Sequence, residues 1–253
     1  MSVVRYEVVR RVAWLTIDRP EARNALSAEV RQLLTEGFER FAADDEAAVL
    51  VLTGAGTQAF CAGGDLREMA DTGLTVPPPD FVPQPGRTVA LDKPVVAAVN
   101  GLAYGGGFLL AQQCDLVLAA EHARFAISEA KVGRGAPWAA PLSWLVPPRI
   151  AMQLLVTGEP ITAQRAYEVG LVNEVLPAAG LHDAAQALGE RIAANAPLSV
   201  AAAKKTVRLM AQPRFADAYV EAEALWEQVY LSADAQEGPA AFRDKRPPVW
   251  TGR

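Results

Sequence analysis

The chain has 253 residues, 51% of them hydrophobic and 21% charged, with a net charge of −5. That length and balance fit one large domain, or one domain with a smaller appendage, around a sizeable core. An acidic balance without a Lys/Arg cluster argues against a nucleic-acid binder, two cysteines cannot make a disulfide framework, and no uncharged apolar run reaches the ~18 residues of a membrane span.

The first residues alternate like a strand, so no signal peptide is expected, and the sparse cysteines point to a reducing, cytoplasmic setting. "YEVVRRVAWLTIDRP" reads as two strands joined at Arg10–Arg11, ended by Pro20. Ser27 is placed to cap a helix carrying Val30, Leu33, Leu34, Phe38 and Phe41 at helical spacing. "AAVLVLTGAG", "KPVVAAVNG" and "CDLVLAAE" read as buried strands, with a glycine run and about two helical turns between the last two. Leu171 to Leu176 is a candidate last strand, and 180–211 and 214–231 carry Ala-rich helical patterns. The alternation predicts an α/β core over 1–195 and a helical C-terminal region over 196–253. "TGLTVPPPDFVPQPG" is a Pro-rich loop of a length more often functional or disordered than inert.

"LTGAGTQA" imitates a dinucleotide-binding fingerprint, but two further glycines follow before any helix can start, so a plain turn accounts better for Gly54 and Gly56. His122 sits in a polar turn and His182 is far from the glycine loops. Neither announces a triad with Ser128, and no spacing resembles a metal site. Two stretches stand out together: "AFCAGGDL" at 59–66 and "NGLAYGGGF" at 100–108. Each follows an apolar strand and puts glycines before a predicted helix, whose first N–H groups are unpaired and partly positive. Glycine lets a ligand approach that backbone closely. Two such loops can aim one N–H each at a single oxygen and form an oxyanion hole. The other reading, that both are tight packing turns, stays open at this point.

Six blocks in order, "RPEARNALS", "AFCAGGDL", "KPVVAAVNGLAYGGGF", "CDLVLAAEHARFAISEAKVG", "GEPITAQRAYEVGLVNEV" and "AFRDKRPPVW", resemble the enoyl-CoA hydratase/isomerase (crotonase) family from about residue 3 to residue 250. The resemblance implies a spiral of ββα units followed by a helical trimerisation region, assembled as homotrimers or dimers of trimers. It implies an acyl-CoA thioester substrate, no separate cofactor because CoA enters with the substrate, and no metal. By motif, the two backbone donors to the thioester oxygen fall on Gly64 and Gly106. Ala22, Arg23, Ala25, Ala62, Asp65 and Leu66 would line the CoA channel. Arg67 and Lys245 would meet its phosphates, the latter across a subunit contact, unless both are solvated surface charges.

The acid/base groups decide the reaction. The family's hydratases use two glutamates. The position of one, three residues past the middle glycine, is Leu109 here, and the other matches Glu129, with Ser128 where the family has proline. One carboxylate suffices to move a proton from C2 to C4 but holds water less well, so the resemblance favours an enoyl-CoA isomerase over a hydratase. A thioester hydrolase or decarboxylase on the same scaffold, and a non-catalytic CoA-thioester binder, are the alternatives. Glu129 stands among Ala126, Ile127 and Ala130, which would desolvate it and raise its pKa; the competing reading is an ordinary surface glutamate. Arg134 and Pro137 depart from the family's small residues, and Arg134 would either recognise a carboxylate on the acyl group or cover the surface. Phe108, Trp138 and Trp144 are expected to shape an apolar acyl pocket, and the Pro-rich loop at 77–85 to cover its entrance.

Overall fold

The computed structural model describes residues 2–208, 227 and 230–249. The chain opens with a hairpin of β1 (Val4–Val9) and β2 (Val12–Ile17), registered Val9 to Val12. Arg10 and Arg11 turn it with φ of 49° and 65°, the left-handed pair a two-residue hairpin requires. Every residue of β2 is buried, not alternate ones. Ala13, Leu15 and Ile17 pack under α1 (Ala28–Ala43), while Val12 and Trp14 pack with Leu181 and Ala185 of α7 (Leu181–Ala193), so both faces of the strand are covered. The Ser27 hydroxyl accepts from the Val30 amide at 3.3 Å and caps α1, whose Val30, Leu34, Phe38 and Phe41 are buried.

From β2 onward the main sheet is parallel, in the order β1-β2-β3-β5-β7-β10, with β3 Val49–Gly54, β5 Val95–Val99, β7 Leu116–Ala120 and β10 Glu174–Leu176. A second sheet of short strands runs β4 (Ala59–Cys61), β6 (Leu102–Tyr104), β8 (Arg124–Ala126) and β9 (Ile161–Thr162), and only β9 is antiparallel. Each turn of chain therefore gives one strand to each sheet and then a helical segment. β3 and β4 lead to α2 (Leu66–Thr72), β5 and β6 to α3 (Gly106–Gln113), and β7 and β8 to the 3₁₀ turn Ser128–Val132. This repetition is the expected α/β spiral of ββα units.

Short helices α4 (Leu142–Leu145), α5 (Pro148–Thr157) and α6 (Ala163–Glu168) precede β10 and α7. A helical stretch, α8, covers 197–208 after a break at 194–196, and α9 (Ala233–Arg243) packs on α2 and on the turn at Ser128–Val132. Most of the helix predicted over 214–231 lies outside the described residues, as do 209–211. No helix among the described residues is long and apolar enough to cross a membrane.

The turn that imitated a dinucleotide site is a packing device. Asn24, fully buried, donates to the carbonyls of Ala55 (3.0 Å) and Ala59 (2.7 Å) and accepts from the Arg19 amide. Asn100 donates to the carbonyls of Gly54 and Gly56. A Cβ at Gly54 would press on the Phe60 carbonyl and on Asn24, so close packing, and no ligand, explains that glycine. Asn24→Ala leaves three backbone groups without their partner in a dry place, and alanine fits the φ of 56° at this position poorly. It should lower stability by roughly 2–4 kcal/mol, read as a fall of roughly 5–10 °C in thermal melting. An unchanged melting temperature would show that the clamp is dispensable.

Candidate active site

The second sheet builds the site. β4, β6 and β8 lie side by side and parallel, with Cys61 opposite Ala103 and Tyr104 opposite Ala126. Their C-terminal ends emerge at one edge, and two or three residues beyond each strand come Gly64, Gly106 and Glu129. Three segments far apart in sequence meet because each is the same point in its own turn of the spiral.

The two glycine loops touch. A Cβ on Gly63 (φ 96°) would sit 3.3 Å from the Gly106 amide nitrogen and 2.9 Å from the Tyr104 carbonyl. Leu26 holds the first loop from outside, its amide donating to the Gly63 carbonyl at 2.8 Å. Gly106 is the first residue of α3, where an amide has no acceptor within its helix. Among the described residues neither the Gly64 nor the Gly106 N–H donates a hydrogen bond.

Glu129 faces this pair across Gly105. A Cβ at Gly105 (φ 52°) would lie 3.0 Å from Glu129 Oε1, so only glycine leaves the carboxylate its place. Glu129 Oε2 is out of solvent and has no hydrogen-bond partner. Burial pushes the carboxyl up to about 8, and its own backbone amide and the nearby Trp138 side chain oppose that rise. An acid tuned to that range exchanges protons near neutral pH, as a general acid/base must.

These groups line one cavity of about 350 Å³. Ala62, Gly64, Leu66, Gly106, Leu109 and Glu129 are on its wall. Leu109, 2% exposed, thus presents hydrocarbon inside the same cavity as the carboxylate. Val76, Pro77, Pro78, Pro79 and Phe81 of the Pro-rich loop close one side, with Arg31 stacked over the Phe81 ring at 4.0 Å and paired with Glu68 of α2.

Ala22, Arg23, Ala25, Asp65, Arg67 and Lys245 are not on the wall. The first three run beside it, since the Arg23 carbonyl accepts from the Ala62 amide at 3.0 Å. Asp65 caps α2, accepting from the Arg67 and Glu68 amides, and pairs with Arg19 at 2.7 Å. Arg67 and Lys245 are exposed. Two of the three expected pocket aromatics are also elsewhere. Phe108 is in the core, edge-on to Phe125, because the α3 backbone turns it inward, and Trp144 is on the surface at the end of α4; Trp138 alone reaches the cavity. Arg134 does not cover the surface: it is buried on the cavity wall.

The site also contains residues that the sequence did not reveal. Tyr230 lines the cavity and donates to the Gly135 carbonyl at 2.7 Å, and Gly105 shapes the space for Glu129. Tyr230 carries no local signal, because its partner lies 95 residues away.

Comparison with known proteins agrees with this geometry. The family model described as enoyl-CoA hydratase/isomerase matches residues 7–253. A carnitinyl-CoA dehydratase of Salmonella paratyphi A is 39% identical over 249 residues, covering 94% of each chain. The crystal structure of a carnitinyl-CoA hydratase from Mycobacterium avium superposes with a TM-score of 0.87 at 37% identity, covering 100% of both chains. That of an enoyl-CoA hydratase from Mycobacterium tuberculosis gives 0.82 at 33% identity, covering 91% of this chain and 100% of its own. The spiral, the paired glycine loops and these full-length similarities agree, and the chain belongs to the enoyl-CoA hydratase/isomerase family of acyl-CoA enzymes.

Proposed function

We propose that the protein adds water to, or removes it from, the Cα–Cβ bond of an acyl-CoA, with Glu129 as the sole acid/base. The observation that carries this is the buried Glu129 carboxylate, with Oε2 unpartnered, facing two unpaired amides across a glycine. In the proposed step the thioester oxygen lies between the Gly64 and Gly106 N–H groups. The Glu129 carboxylate takes a proton from Cα, and negative charge builds on the oxygen where fixed donors stabilise it most. The protonated carboxyl then gives its proton to the departing β-hydroxyl, water leaves, and the carboxylate is restored. Hydration is the reverse, so the ionised carboxylate starts both directions. The relatives' names, dehydratase and hydratase, support this reading and give none to the isomerase preferred from sequence.

Leu109 favours a second reading. With hydrocarbon where a water-holding carboxylate would stand, the same proton can return at C4 and shift a 3-enoyl double bond to position 2. In both readings Ala22, Arg23, Ala25, Ala62, Asp65 and Leu66 flank the CoA chain, Arg67 and Lys245 neutralise its phosphates, and no other cofactor takes part.

Incubation with 2-enoyl-CoA and 3-enoyl-CoA of several chain lengths separates them. Loss of 2-enoyl absorbance with formation of a 3-hydroxyacyl-CoA supports the first. Gain of that absorbance from the 3-enoyl substrate without hydroxyacyl product supports the second. Release of free thiol, or no turnover, refutes both.

Assembly as trimers or paired trimers in the cytoplasm belongs to the same proposal. Met152 and Val156 on α5 are 60% and 64% exposed, a surface an assembly would cover. Light scattering should give a mass three or six times that of the chain, and a monomer would overturn this part.

A further inference from the structure

Arg134 holds an uncommon position. It is 5% exposed, on the wall of the cavity that contains Glu129, and no Asp or Glu among the described residues forms an ion pair with it. A buried charge is normally paired. Three backbone carbonyls take part of its donor capacity. Nη1 donates to Leu74 (3.0 Å) and Ala235 (3.4 Å), and Nη2 to Thr75 (3.0 Å). The guanidinium also lies over the Tyr230 ring, 5.0 Å from its centre.

These contacts hold the group and take up three of its donors. A guanidinium has five N–H donors. The Nε–H and one Nη2–H have no acceptor among the described residues, and an Nε–H and an Nη2–H side by side are the fork that binds both oxygens of a carboxylate. Carbonyls supply partial negative charge but leave the net positive charge standing, and burial pulls the arginine pKa down accordingly. Glu227, the other acid on the wall apart from Glu129, is exposed and screened by water.

We propose that Arg134 reads the far end of the acyl group, and that the substrate is the mono-CoA thioester of a dicarboxylic acid, its free carboxylate paired with the Nε–Nη2 edge. This rests on the assignment of the cavity to an acyl-CoA, but not on which reaction follows.

Equilibrium binding tests it without turnover. Saturated thioesters of matched length are titrated into the full-length protein by calorimetry: succinyl-, glutaryl- and adipoyl-CoA, the neutral butanoyl-, pentanoyl- and hexanoyl-CoA, and 4-(trimethylammonio)butanoyl-CoA. At least one dicarboxylic thioester should bind roughly tenfold more tightly than its neutral counterpart, with the cationic ester weakest. Arg134→Met should reduce that ratio to about one, and Arg134→Lys, which keeps the charge without the fork, should recover part of it. A merely structural arginine would weaken all thioesters alike and leave the ratio unmoved. Equal or tighter binding of the neutral or cationic esters to the unmodified protein overturns the proposal, even if neither variant folds, and leaves the acyl-CoA assignment standing. Binding of none of them overturns that assignment together with the proposal.

Discussion

Glu129→Gln should lower kcat/KM by roughly 10²–10⁴-fold on whichever enoyl-CoA the protein turns over, the range expected for losing one acid/base group. It should also make the protein more stable. The carboxyl shifts from 4.5 to about 8 on folding, chiefly through burial. Below its unfolded pKa the group is protonated in both states and costs nothing. Between about 4.5 and 8 the unfolded chain ionises and the folded one does not, so stability falls as pH rises through that window and levels off above it. Glutamine removes this loss. Near pH 8 the gain should be roughly 2–5 kcal/mol, seen as a melting temperature several degrees higher. In the unmodified protein the ionised carboxylate starts each reaction, so kcat/KM should rise tenfold per pH unit up to about 8 and then stay flat. A profile flat from about pH 6 would place the acid/base elsewhere.

Gly107→Ala should have the second large effect, by a different route. The new Cβ would fall inside contact distance of the Cys61 carbonyl, which belongs to the backbone of β4 and cannot rotate away. Relief requires α3 and β4 to separate, and those two elements carry Gly106 and the approach to Gly64. Overpacking of this kind costs about 3 kcal/mol or more. A displacement near 1 Å of one donor relative to the other should cost a further ~10²-fold in turnover. Gly64→Ala is the informative contrast, since its Cβ would meet only the flexible end of Met69, at 2.5 Å. It should retain most of the stability. If Gly107→Ala melted with the unmodified protein and kept its activity, the close seating of α3 on β4 would be wrong.

Much of this was legible in the sequence, and the reasons differ by element. The Arg10–Arg11 turn, the Ser27 cap and the apolar runs of β3, β5 and β7 depend on neighbours a few residues apart, so local pattern reveals them. The two glycine loops stood out because each follows an apolar strand and precedes a predicted helix, and the spiral turns that recurrence into contact. The burial of Glu129 was visible in its apolar neighbours, though Gly105, which gives the carboxylate room, was not singled out. The local pattern of β2 marks a strand but cannot show that α7, far along the chain, covers its second face. Phe108 and Trp144 were expected in the pocket because residue type alone does not say which way a helix turns its side chains. Arg134 was read with two open ends, surface or ligand. Its carbonyl partners at Leu74, Thr75 and Ala235 come from segments 59 to 101 residues distant, beyond any local signal.

The central claim is that Glu129 moves a proton at the α-carbon of a thioester whose oxygen is held by the Gly64 and Gly106 amides. Proton exchange in D₂O tests it whatever the net reaction. A saturated acyl-CoA is incubated with the protein, and deuterium at C2 is followed by NMR. The expected result is exchange of one C2 proton, faster as pH rises toward about 8, and its disappearance in Glu129→Gln. Exchange at an unchanged rate in Glu129→Gln, or none in the unmodified protein while it binds the thioester, would contradict the account.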